Sequence, residues 1–217
     1  MTARPRVTLK LATSLDGRIA TASGESRWIT GEAARAAVHR LRADHDAILV
    51  GVDTAIADDP ELSVRTPGYQ GPQPARVVLD SRQRLPETLK LAVTARATPT
   101  LVVSIAPPEP RLQAAGVKVL QVKAAGDRPD LHHALERLAD EGVARLMVEG
   151  GGQVAASFLR CGLVDRIEWF RAPLLLGGEG RPAVGALALE SLAAAPRFAR
   201  VAVEALGEDL WERYETA

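Results

Sequence analysis

The sequence predicts an α/β fold, a mostly parallel sheet flanked by helices with antiparallel strands at its edge. Short apolar runs alternate with segments patterned at helical spacing, the rhythm of strands joined by crossover helices. One stretch, 145–160, reads strand, glycine turn, helix. The chain then closes on two strands, near 198–205 and 209–215, without a helix between them, which implies an antiparallel hairpin.

Val7, Leu9 and Leu11 alternate with Thr8, Lys10 and Ala12, giving the first strand, and Asp16-Gly17 turns the chain. From 31 to about 43 the period becomes helical: Ala34, Val38 and Leu41 share a face, Thr30 is placed to cap, and Glu32 favours the dipole. Residues 47–50, 76–79 and 100–104 read as short strands, the last two separated by a proline-marked loop. The prolines at 107–110 mark a surface loop, a short helix follows, and 117–122 alternates as a strand. Asp130 caps a helix with Leu131, Ala134, Leu135 and Leu138 on one face, and Gly142 closes it. After the strand at 145–148 come a glycine turn at 149–152, a helix from 153 to about 160, an alternating strand at 166–172 and a glycine-rich loop at 177–185.

Composition narrows the function classes. The 217 residues carry 27 Lys+Arg against 27 Asp+Glu, and no local basic run compensates, so nucleic acid is not an expected partner. With 47% apolar and 25% charged residues the chain is ordinary for a globular protein, and its length suffices for one domain that buries about 70% of its unfolded surface. The single cysteine, Cys161, can form no internal disulfide, and there is no Cys/His cluster for a metal. No signal-peptide pattern follows Met1, and the longest apolar runs, such as 47–50 and 174–176, fall far short of the roughly 18 residues of a membrane span. A cytoplasmic protein without a membrane partner is expected.

Two clusters can carry chemistry. The glycines at 150–152 let backbone approach a pyrophosphate and open a helix whose first N–H groups can bind it, although the spacing is not that of an ordinary dinucleotide fingerprint. The second cluster is denser: Ser23-Gly24-Glu25-Ser26-Arg27-Trp28-Ile29-Thr30, then Arg42, then residues 51–65 with Asp58-Asp59-Pro60. It gathers hydroxyls, arginines, an aromatic and carboxylates near a strand's carboxyl end, where open α/β sheets bind ligands. Each member also has a plain structural reading: Arg42 as a solvated helix arginine, Trp28 as a core or staple residue, Asp58-Asp59-Pro60 as a helix start.

The stretch Leu9-Lys10-Leu11-Ala12-Thr13-Ser14-Leu15-Asp16-Gly17-Arg18, the Ser23–Thr30 segment, the block Asp58-Asp59-Pro60-Glu61-Leu62-Ser63-Val64-Arg65 and Val148-Glu149-Gly150-Gly151-Gly152 closely resemble the reductase domain of bacterial riboflavin biosynthesis. The resemblance runs from about residue 4 to 214. It implies a dihydrofolate reductase-like fold, an NADPH cofactor, a homodimer, and a single reductase domain over 1–217. The zinc deaminase that precedes this domain in the bifunctional enzyme is not expected, since neither H-x-E nor P-C-x-x-C is present. A separate deaminase then becomes a candidate partner.

Carried over by position, the family's cofactor contacts fall on Ala12, Trp28, Thr54, Asp58, Ser81, Gly151, Gly152, Gln153, Val154, Ala155, Ala156 and Ser157. Its substrate contacts fall on Ser26, Arg42, Leu62, Arg65 and Glu149. Ala12 stands where the family often has glycine, a change that a backbone contact survives. The implied reaction reduces the ribosyl group of 5-amino-6-(5-phosphoribosylamino)uracil to the ribitylamino product by hydride transfer to C1 of the opened sugar imine. Glu149, Asp58 and Lys10 are the candidate catalytic residues, and no metal is called for. Ser81, Arg82 and Arg84 are placed to meet an adenosine 2′-phosphate, Arg42 and Arg65 with Ser26 to hold a ribose 5-phosphate, and Gly150-Gly151 to be joined by a cis peptide. His39, His45, His132 and His133 lack ligand spacing, Cys161 reads as a packing residue, and Trp169 and Trp211 as core or interface. The alternatives are a reductase acting on the diaminopyrimidinone ribosylamino phosphate before deamination, a dihydrofolate reductase, and an NADP-binding regulatory module without turnover.

Overall fold

The computed structural model describes residues 4–217. In chain order the elements are β1 (Arg6–Thr13), β2 (Arg18–Ala20), α1 (Glu32–Ala43), β3 (Ala47–Gly51), α2 (Val52–Asp58), β4 (Ala75–Leu79), α3 (Lys90–Val93), β5 (Thr100–Ser104), α4 (Pro110–Ala115) and β6 (Lys118–Gln121). There follow β7 (Ala124–Ala125), β8 (Arg128–Pro129), α5 (Leu131–Asp140), β9 (Arg145–Gly150), α6 (Gly152–Arg160), β10 (Arg166–Arg171), β11 (Arg181–Pro182), β12 (Phe198–Leu206) and β13 (Asp209–Thr216). They fall into two compact units: residues up to Arg6 with His39–Met147, and Val7–Val38 with Val148–Ala217. The chain changes unit between Arg6 and Val7 in β1, then inside α1 and again inside β9.

The first unit is a parallel one. β3, β4, β5 and β6 pair in that order, with Val50 opposite Val78, Val77 opposite Leu101 and Val102 opposite Val119. Because β3 and β5 are buried along their whole length, they are apolar at successive positions instead of alternating, as strands covered on both faces must be. Each Leu or Ile buried there stabilises by about 1.5–3 kcal/mol. Two buried polar side chains organise the connections. Asp80 accepts the Leu85 N–H (2.8 Å), folding the turn after β4. Gln83, in the left-handed region at φ 53°, donates to Pro107 O (2.7 Å) and accepts the Glu109 N–H (2.8 Å), which anchors the proline loop. Asp130 caps α5 as expected, accepting from the N–H groups of His132 and His133 (2.9 and 3.1 Å).

The second unit is a hairpin one. β1 runs parallel to β10, β10 pairs antiparallel with β13, and β13 with β12. The fully buried Glu168 carboxylate of β10 accepts from Trp211 Nε1 (2.6 Å) and Arg213 Nε (3.0 Å) on β13, while Phe170 and Trp211 stack at 5.2 Å. A charged group, not an apolar stripe, thus fastens the hairpin. On the other face of β10, Trp169 Nε1 donates to Thr13 Oγ1 (2.8 Å).

Four expectations need correction. Asp58 ends α2 and Asp59 is its C-cap at φ 40°, so Asp58-Asp59-Pro60 is a helix stop, not a start. Thr30 lies one residue outside the cap position, because α1 begins at Glu32 and the N–H of Gly31 goes to Asp209. Cys161, at the C-cap of α6, is exposed instead of packed. Among the described residues the cis peptide is Arg27–Trp28, and Gly150–Gly151 is not one.

Candidate active site

In the parallel unit the two arginines expected at a phosphate meet on one loop. Arg42, in the last turn of α1, donates from Nη1 to Ser63 O (2.9 Å). Arg65 donates from Nη1 to Ser63 Oγ (3.4 Å) and to Glu61 Oε2 (3.1 Å). The loop between them is fixed from both sides: Gln73 holds the N–H and C=O of Val64 (2.7 and 3.1 Å), and His39 Nδ1 accepts the N–H of Arg65 (3.2 Å). Leu62 sits there in the left-handed region at φ 52° with its side chain 2% exposed, so only its backbone can face a ligand. The Arg65–Glu61 pair is half exposed, and such pairs are worth at most about 1 kcal/mol, so a phosphate can outbid Glu61.

α2 supplies Thr54 and Asp58, one turn apart on the same face, with Asp58 exposed and Thr54 half-buried. Below the end of β4, Ser81 is half-buried and Arg82 exposed. Arg84 is paired with Asp53, which accepts from it at 2.7 Å and holds the guanidinium above its usual range; both side chains are at least half exposed, so a phosphate can displace Asp53 as it can Glu61.

In the hairpin unit, α6 begins at Gly152 with Gly151 as N-cap and no side chain capping it. The first N–H groups of a helix have no partner within it and point outward along the axis, so an anion is the group they suit. Gly150 has φ 148° and open space where a Cβ would stand, whereas a Cβ on Gly152 would lie 2.6 Å from Pro182 O. The first glycine therefore leaves room beside the turn, and the second lets the 182–185 loop approach, where Gly185 N–H donates to Gly152 O (2.8 Å). This end of α6 fits a pyrophosphate through Gly151, Gly152, Gln153 and Val154. It does not extend further. Ala155 and Ala156 are fully buried, with the Ala155 N–H spent on Gly151 O, and Ser157 Oγ turns back to donate to Gln153 O (2.9 Å).

The other hairpin-unit candidates stand on β1, β9 and the loop before α1. Lys10 is half-buried on β1, in register with Glu168, and Ala12 is half-buried two residues on. Glu149 is half-buried near the end of β9. Ser26 is half-buried, and Trp28 is 69% exposed, which excludes the core reading for its ring. Asp16, between β1 and β2, accepts from Ser14 Oγ (2.6 Å) and the N–H groups of Leu176 and Gly177, and the Ser14 bond leads in holding its carboxyl below the usual range. His39, Gln73 and Asp16 were not among the sequence-predicted site residues, and Asp53 was named only as part of the 51–65 cluster. Each acts through a tertiary partner, for which single-residue patterns carry no signal.

Parallel strands with helices, closed by antiparallel C-terminal strands, define the dihydrofolate reductase-like class. The chain belongs to the RibD C-terminal domain family, which matches residues 5–211. It is 41% identical over 213 residues to the 2,5-diamino-6-ribosylamino-4(3H)-pyrimidinone 5′-phosphate reductase of Methanothermobacter thermautotrophicus, covering 97% of this chain and 98% of that protein. It is 38% identical over 213 residues to the riboflavin biosynthesis protein RibD of Actinobacillus pleuropneumoniae, covering 96% of this chain and 56% of that one. The solved structure of Acinetobacter baumannii RibD, form 2, aligns with a TM-score of 0.87 at 36% identity, covering 99% of this chain and 58% of the other. The chain thus spans about half the length of the RibD proteins it matches.

Proposed function

We propose that residues 1–217 form one reductase domain of riboflavin biosynthesis, which reduces the ribosyl group of 5-amino-6-(5-phosphoribosylamino)uracil to the ribitylamino product with NADPH. The observation that carries this reading is the convergence of Arg42 and Arg65 on Ser63, a pair of planar cations suited to a sugar phosphate. When bound, NADPH supplies the hydride that C1 of the opened sugar receives. The chain's own residues position and shield. Gly151, Gly152, Gln153 and Val154 hold the pyrophosphate, Ser81, Arg82 and Arg84 the 2′-phosphate, and Ala12, Trp28, Thr54 and Asp58 the rest of the cofactor. Arg42, Arg65, Ser26 and the Leu62 backbone hold the sugar phosphate. Glu149 accepts hydrogen bonds from the pyrimidine and its amino group, while Asp58 and Lys10 handle protons and sugar hydroxyls. We further propose a cytoplasmic homodimer. Among the described residues no helix is long and apolar enough to cross a membrane.

A second reading, reduction of the diaminopyrimidinone ribosylamino phosphate before deamination, is favoured by one finding: the archaeal reductase named for that substrate is matched over 98% of its length. NADPH oxidation assayed in parallel with the two pyrimidine phosphates and dihydrofolate decides among them. Turnover with the deaminated compound alone supports the first reading, turnover with the diamino compound alone the second. Binding of NADPH without oxidation in any arm would leave only the non-catalytic module. Arg42→Ala and Arg65→Ala should each weaken the phosphorylated substrate about 10- to 150-fold and spare its dephosphorylated form. Equal losses for both forms would show that these arginines only support the fold.

A further inference from the structure

Trp28 combines two features that rarely coexist without a reason: a large aromatic ring left 69% exposed, and a loop held tightly beneath it. The guanidinium of Arg35, one turn into α1, lies 4.6 Å from the ring centroid, within cation–π range. The same guanidinium donates from Nη1 to Thr30 O (2.7 Å), so it grips ring and backbone at once. The loop is anchored again at Gly31, whose N–H donates to Oδ2 of Asp209 (2.7 Å), a carboxylate only 4% exposed at the start of β13. Two links made by residues 30 and 31 therefore fix the backbone on which the indole stands, and Arg35 orders the indole itself.

We infer that Arg35 is a positioning residue, holding the Trp28 indole as a stacking platform for a flat heteroaromatic ring of the bound nicotinamide cofactor. The inference rests on the proposed cofactor contact of Trp28. A tryptophan pre-ordered by a stacked cation loses less rotamer freedom when a planar ring settles on its accessible surface, and the gain appears as affinity. Arg35 itself touches no ligand in this scheme; it acts through Trp28 alone. That makes coupling between the two residues the decisive quantity.

The test uses the full chain in two arms. NADPH is titrated into wild type, R35A, W28A and the double variant. R35A should weaken NADPH about two- to fivefold, the range of an exposed cation–π contact, and should have no further effect when W28A is already present. Equal losses in both backgrounds would mark Arg35 as merely structural and overturn the inference. The ligand-free arm measures acrylamide quenching of tryptophan fluorescence, with W28F subtracted to remove Trp169 and Trp211. Quenching of Trp28 should rise in R35A, and unchanged quenching would equally overturn the inference. R35K keeps the charge without the planar stack; it replaces R35A if that variant folds poorly, and should show the same coupling in weaker form. If wild type binds no NADPH, the platform role falls together with the proposed cofactor, while the quenching arm still reports whether Arg35 holds the ring.

Discussion

In the parallel unit, strands apolar on both faces run to the points where Arg42, Thr54, Asp58 and Ser81 stand, on or next to regular elements. In the hairpin unit, Trp28 and Ser26 stand on the loop before α1, which Asp209 ties at Gly31; Asp16 likewise ties the segment at Leu176 and Gly177, and Glu168 ties β10 to Trp211 and Arg213 of β13. The first arrangement rests on burial, which is non-directional and spread over many contacts. The second rests on a few directional bonds, each of which leaves a costly unpaired group if one partner goes. Packing thus dominates the elements of one unit, and directional bonds fasten the loops and the hairpin of the other.

Substitutions separate the two modes. Leu49→Ala in β3, where the side chain is 0% exposed, should lose about 2–5 kcal/mol through lost burial and a cavity, measured by chemical denaturation. A loss below about 1 kcal/mol would show that packing does not dominate there. Glu168→Ala should cost about 3 kcal/mol, the low end for breaking a buried ion pair, since Arg166 and Arg213 remain about a third exposed and can rehydrate. Glu168→Gln, which keeps an acceptor for the Trp211 indole, should cost less than Glu168→Ala; equal costs would argue that volume, not hydrogen bonding, matters at this position. Asp130→Ala should lose about 1 kcal/mol by uncapping α5, and an unchanged denaturation midpoint would rule that out.

The smallest expected effect is one of pH. Burial is the main cause that holds the His45 imidazole below its usual 6.5, opposed by its bond to Leu41 O (2.7 Å). The unfolded chain takes up this proton more readily than the folded one. Stability linked to His45 is therefore intact above about pH 6.5 and lost as pH falls through the lowered folded value. His45→Gln should reduce the drop in Tm between neutral and mildly acid pH. A slope identical to wild type would assign the drop to other groups.

What was legible in the sequence follows the same division. The parallel strands, α1, α5 and α6 announce themselves because apolar periodicity is a local record of burial. α2 was missed: its seven residues are too few to display a period, and the acidic pair at its end mimics a start signal. The short β2–β11 pairing joins segments far apart in sequence and has only two or three residues on each side to reveal it. The resemblance supplies the proposed site positions in both units, but not the side chains that support them. That Arg84 pairs with Asp53, that Ala155 and Ala156 are sealed in the core, and that His39 carries the backbone of Arg65 are all tertiary facts, invisible until the chain is folded.

The crossings inside α1 and β9 also set a timetable for a chain made from its N-terminus. By the time Met147 has been added, every residue of β3 through β6 exists and their ladder can close. β1 was made earlier, yet its partner β10 has not been translated: the N–H of Val7 finds Asp165 only 158 positions later. Until then Val7, Leu9 and Leu11 have no β10 edge to pair with, and an apolar segment with an unmet strand edge is the kind that recruits chaperones or neighbouring chains. The oldest strand of the hairpin unit is thus the one kept waiting.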